Sequence, residues 1–109
     1  MKVRWNKQSK ERLLQTALYI HKEYGQKARD AFMQAVQQAN NLLADNPHLG
    51  AVETLLSDLP SQYRSVVIQR INKIVYRLVE NHIEVIAFWD VRREPKQLVE
   101  NITQTIDSQ

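Results

Sequence analysis

The chain contains no cysteine, so no disulfide, thiolate nucleophile or zinc-thiolate centre is available to it. Its only glycines, Gly25 and Gly50, lie far apart, which excludes a glycine-rich loop that cradles phosphates. The three histidines, His21, His48 and His82, stand singly, without the HxxxH or carboxylate spacing that a metal site needs. No stretch approaches the roughly 18 consecutive apolar residues of a membrane span. The opening MKVRWNKQSK also lacks the apolar run of a secretory signal. The expectation is a cytoplasmic protein with no membrane partner, no metal and no cofactor.

What is present fits one soluble domain, residues 1–109. A chain of 109 residues has room for one modest core and not for two, and its 43% hydrophobic and 25% charged residues are ordinary for that class. Charge is unevenly placed. Residues 1–30 hold eight Lys or Arg against three acids, residues 31–60 three acids and no base, and residues 61–96 seven bases against four acids. Two basic blocks flanking an acidic middle favour a polyanion or an acidic protein segment as partner, although a solvated surface has the same composition.

The first half reads as scaffold. Lys2 to Asn6 alternates, with Val3 and Trp5 on one side, and predicts a short strand. From Ser9 the period changes, and Leu13, Leu14, Ala17, Leu18 and Tyr24 mark a helical stripe that Gly25 closes. Between Gln26 and Asp45, Ala28, Ala31, Phe32, Ala35, Val36, Ala39, Leu42 and Leu43 share one face of a second helix, which ends before Pro47. These residues are expected to be core, in an antiparallel helical hairpin. Residues 47–62 carry Pro47, Gly50 and Pro60; Glu53, Leu55 and Leu56 fit either a turn of helix or an edge strand.

The last third, YRSVVIQRINKIVYRLVENHIEVIAFWDVRREP, reads as a three-stranded antiparallel meander. Tyr63–Ile68 turns at Gln69-Arg70 into Ile71–Val79, and Asn81-His82 turns back into Ile83–Trp89. Alternation puts Ile74, Tyr76 and Leu78 on the face expected to meet the helices, and Lys73, Val75 and Arg77 on the other. Arg64 joins the latter if the register allows it, and Arg92 and Arg93 leave the last strand nearby. Up to five cations are therefore expected over one concavity, unless Lys73 and Arg77 pair with Glu80, Glu84 or Asp90. Trp5 and Trp89 read as core or sheet-edge anchors. Pro95 suits the first position of a final helix, with Leu98, Val99, Ile102 and Ile106 on one apolar side that invites a partner segment if exposed.

This order of elements, with the motifs YRSVV, KIVYRL and IEVIAFWDVRREP followed by KQL, resembles the RelE/ParE superfamily of bacterial toxins over essentially the whole chain. The resemblance implies a compact α+β fold: N-terminal strand, helical hairpin, antiparallel meander and short C-terminal helix. It implies the toxic half of a type II toxin-antitoxin pair that arrests growth when free of its cognate antitoxin. On that basis Leu98, Val99 and Ile102 are expected to meet the antitoxin, and Arg64, Lys73, Arg77, Arg92 and Arg93 the target.

RelE-like members cut mRNA on the ribosome with basic residues of the sheet and the following turn, often aided by a C-terminal tyrosine or histidine. Arg64, Lys73 and Arg93 fall on such basic positions. Val66 stands where a second lysine is expected, and Val99 near the expected tyrosine. Attack by a ribose 2′-hydroxyl requires groups that take and give a proton. Arginine, protonated at all ordinary pH, shuttles protons poorly. Lys73 could serve as base only with a depressed pKa, His82 sits at a hairpin tip, and Tyr76 is expected to face the core. ParE-like members instead poison DNA gyrase, and the DVRREP turn resembles theirs more closely. The expected function leans to gyrase inhibition, with a ribosome-dependent mRNA endonuclease or a non-toxic basic binding module as alternatives, and enzymatic activity undecided.

Overall fold

The computed structural model describes residues 1–107. The chain runs β1 (Lys2–Trp5), α1 (Lys7–Tyr24), α2 (Gln26–Asp45), β2 (Ala51–Val52), a 3-10 turn (Thr54–Leu56), β3 (Tyr63–Ile68), β4 (Asn72–Val79), β5 (His82–Asp90) and α3 (Pro95–Asp107). This is the expected α+β order. The segment whose sequence fits both an edge strand and a helical turn makes each in succession, as β2 and the 3-10 turn. Among the described residues no helix is long and apolar enough to cross a membrane.

The sheet has the order β1-β5-β4-β3-β2, with β1 parallel to β5 and the other pairs antiparallel. Asn6 joins β1 to α1: its side chain accepts from the Ser9 N–H at 2.8 Å, capping the helix, and donates to the Ile86 carbonyl at 3.1 Å. The start of α1 is thus fixed to β5. Gly25, at φ 95°, takes the left-handed region that a side chain would resist, and so α2 begins one residue after α1 ends.

The sheet buries both faces. On one, Phe32, Val36, Ala39 and Leu43 of α2 meet Ile68, Ile74, Tyr76, Ile83, Val85 and Phe88. On the other, Leu98 and Ile102 of α3 pack with Leu56, Tyr63, Val75, Ala87 and Trp89. A bulge opposite Val75 and Tyr76 turns both Ile86 and Ala87 toward α3.

Four expectations are corrected. Ala31 and Leu42, expected on the buried face of α2, are exposed, Leu42 at 53%. Leu14, Leu18 and Tyr24 do not enter the core; Leu18 is 69% exposed, and α1 presents Leu13, Ala17 and Ile20 instead. Leu78, expected on the covered face, is 36% exposed although its cross-strand partner Ile83 is fully buried. The β4–β5 turn is Glu80-Asn81, and Glu80 rather than Asn81 has the positive φ, 48°.

Candidate target-binding site

The register separates the cations that alternation alone would gather. Directly opposed residues of an antiparallel pair share a face, and Arg64 lies opposite Tyr76, whereas Val67 lies opposite Lys73 and Tyr63 opposite Arg77. Arg64 therefore belongs to the helical-hairpin face and Lys73 and Arg77 to the α3 face. The five expected cations do not converge on one concavity.

Arg64, Lys73 and Arg77 are each also engaged internally. Arg64 donates to the Gly50 carbonyl at 2.8 Å and to that of His48 at 3.4 Å. Lys73 pairs with Glu53, a carboxylate that also accepts from the Ser65 hydroxyl. Arg77 donates to Glu84 at 3.1 Å and to the Ser61 hydroxyl at 3.2 Å. The Arg77–Glu84 pair is one of the cross-strand pairings weighed above, while the partner of Lys73 comes from the segment between β2 and the 3-10 turn. Tyr76 is fully buried; its hydroxyl donates to Pro47 O at 2.8 Å and accepts from the Gly50 N–H at 2.9 Å. Burial pushes its pKa upward, only partly offset by the Gly50 hydrogen bond and the nearby Arg64.

The turn after β5 is different. Arg92, 70% exposed at the side chain, folds its guanidinium onto Asp90, with Nη2 to Oδ2 at 2.7 Å, while its backbone N–H donates to the same carboxylate at 2.9 Å. The side-chain hydrogen bond from Arg92 holds the Asp90 carboxyl below its usual range. Arg93 lays its guanidinium over the Trp89 ring, 4.0 Å from the centroid, and so covers an anchor of the α3 core while its polar edge stays at the surface.

Both arginines line a groove of about 420 Å³ between this turn, α1 and the β3–β4 turn. Arg12, Tyr19 and Tyr24 of α1 line it too, the two tyrosines meeting edge to face at 6.5 Å. Arg12 and Tyr19 are seven residues apart on α1, hence on one helical face, a polar i, i+7 spacing that could have marked them in the sequence. Tyr24 was hidden by its reading as core. The arrangement offers cations beside exposed aromatic faces, suited to an anionic protein surface.

Leu98 and Ile102 are fully buried against the sheet and Val99 is half-buried, so the apolar side of α3 is core and not an exposed stripe. A partner reaches Leu98 and Ile102 only by displacing the helix.

A family model described as the ParE toxin of the type II toxin-antitoxin system parDE matches residues 3–95. Among solved structures, a chain from the chromosomal ParDE toxin-antitoxin system of P. aeruginosa is similar, with a TM-score of 0.69 and 16% identity over 84% of this chain and 97% of that one. That likeness is one of fold. None of the curated proteins matches.

Proposed function

This chain belongs to the ParE toxin family of type II toxin-antitoxin systems, and on that premise we propose that it arrests growth by binding DNA gyrase in the cytoplasm until a cognate antitoxin silences it. Arg92 and Arg93 are the target contacts, with Arg12 and the tyrosines of the groove completing the surface. One observation carries the reading. The sheet cations at the basic positions of ribonucleolytic relatives, Lys73 and Arg64, are tied to Glu53 and to backbone carbonyls, and Tyr76 is locked in the core. Binding needs only presented charge and shape, whereas cleavage needs groups free to exchange protons with a substrate.

Lys73 and Arg77 are then structural, and Arg64 holds the Gly50 segment. Leu98, Val99 and Ile102 contact the antitoxin only in a state where α3 has left the sheet. The test is a supercoiling assay with purified gyrase, beside end-mapping of mRNA after induction in cells. Inhibited supercoiling with intact mRNA is expected; codon-biased mRNA cuts with unaffected gyrase would refute the proposal.

A further inference from the structure

The open edge of β5 is the second unusual feature of the α1 side of the molecule. β1 pairs with His82–Val85 only, and the chain then leaves the sheet as α1. The Val91 N–H donates to Ile71 O at 2.8 Å, so the mutually hydrogen-bonded pairs in this part of the β4–β5 ladder are Ile71/Val91, Lys73/Trp89 and Val75/Ala87. Phe88, between them, turns its N–H and C=O away from β4. Neither group meets a backbone partner on α1. Asn6 covers the Ile86 carbonyl just before this point.

Over that edge lies a hollow of about 220 Å³ between α1 and α3, lined by Ser9, Arg12, Gln15, Phe88 and Asn101 among others. Of these Ser9 is 1% exposed, and its Oγ has no hydrogen-bond partner among the described residues. Buried hydroxyls without partners are uncommon and costly. Arg12 and Gln15 also line the groove at the Asp90–Arg93 turn. The two hollows therefore form one trough along α1, with an unpaired strand edge at one end and Arg12, Arg92 and Arg93 toward the other. Against these three cations stand Glu11 and Asp90.

We infer that this trough receives an extended, acid-bearing segment of the cognate antitoxin, which continues the line of β1 by pairing with Phe88 and sets its carboxylates on Arg12, Arg92 and Arg93. The inference rests on the toxin-antitoxin reading above. Strand addition supplies backbone hydrogen bonds at an edge that lacks them, the Ser9 hydroxyl gains a partner, and the charges are complementary. Silencing follows directly, because the occupied groove is the one assigned to the target.

Residue-resolved hydrogen exchange on the full chain, alone and in complex with the protein encoded beside it, tests this. In the free chain the Phe88 amide should exchange fast while Ala87 and Trp89, bonded to β4, exchange slowly. In the complex Phe88 should slow by about tenfold or more. Arg12→Glu should weaken the complex by about tenfold at low salt and less at high salt, and Arg12→Lys should largely restore it. A stable complex with Phe88 exchanging as in the free chain overturns the inference and leaves the toxin-antitoxin reading standing. Failure of any complex to form removes that reading, and the inference with it.

Discussion

Replacing Lys73 by Met separates a structural from a functional role for the sheet cations. The Lys73 and Glu53 side chains are 14% and 9% exposed. Removal of the ammonium leaves the Glu53 carboxylate with the Ser65 hydroxyl as its remaining side-chain partner. Breaking a buried pair from one side costs roughly 3–5 kcal/mol, and the residual exposure here argues for about 3. In a domain of this size that lowers Tm by about 12–20 °C. Glu53→Gln alone should cost less, because the amide oxygen still accepts from both Lys73 and Ser65. The double variant Lys73→Met/Glu53→Gln buries no charge and should lie within about 1 kcal/mol of the parent, giving a coupling energy of at least about 2 kcal/mol. Urea denaturation of all four proteins measures the cycle, and induction in cells measures toxicity. The double variant should arrest growth as fully as the parent. A folded, stable double variant without toxicity would refute the reasoning, since Lys73 would then act on the target; so would a Lys73→Met cost below about 0.5 kcal/mol, the level of an ordinary surface change.

Arg93→Ala should cost about 0.5–1 kcal/mol through loss of its stacking on Trp89 yet abolish toxicity, read by growth after induction beside a melting curve; an unaltered arrest would remove the turn from the site. Phe32→Ala, fully within the core, should destabilise by roughly 3–5 kcal/mol in urea denaturation, whereas Leu18→Gln, at an exposed position, should change stability by less than about 0.5 kcal/mol. Tyr76 carries a pH prediction. Its folded pKa is raised by burial, so its contribution is fully present below the unfolded tyrosine value of about 10 and is lost as pH rises through the folded one. The urea midpoint should therefore fall above about pH 10, and Tyr76→Phe, though weaker at neutral pH, should fall less steeply; parallel curves would count against this assignment.

Much of the fold is legible because its periodic signals are unambiguous. Phe32, Val36, Ala39 and Leu43 recur at three and four residues, with Gln34, Gln37, Gln38, Asn40 and Asn41 among the residues between, and α2 buries that face. The meander announces itself through β-branched residues and alternation. α1 misleads for a physical reason: Leu13, Ala17 and Ile20 form one stripe and Leu14 and Leu18 the adjacent one, so periodicity identifies the helix without choosing its phase. The phase is settled by Asn6, whose side chain bonds both Ser9 and Ile86 and so fixes α1 rotationally at its first turn, a contact 80 residues distant in sequence.

The site was less legible because its cations depend on register and on a loop. Whether Arg64 shares a face with Lys73 is decided by which residue opposes Tyr76, and the turn at Gln69 and Arg70 decides that by holding both residues at positive φ. A one-residue slip would exchange the faces. Glu53 sits in the segment of weakest pattern, so the neutralisation of Lys73 is invisible until β2 and the 3-10 turn are placed. Arg92 and Arg93 escape both uncertainties. They lie outside the ladder, where no opposing strand residue competes for them, and the acid that pairs with Arg92, Asp90, is local. Their relation to Arg12 follows from α1 leaving β1 beside the open half of β5 and running toward the turn that ends it. The same departure that exposes Phe88 along that edge thus brings a helix face bearing Arg12 and Tyr19 beside the only two predicted target contacts that the sheet does not hold.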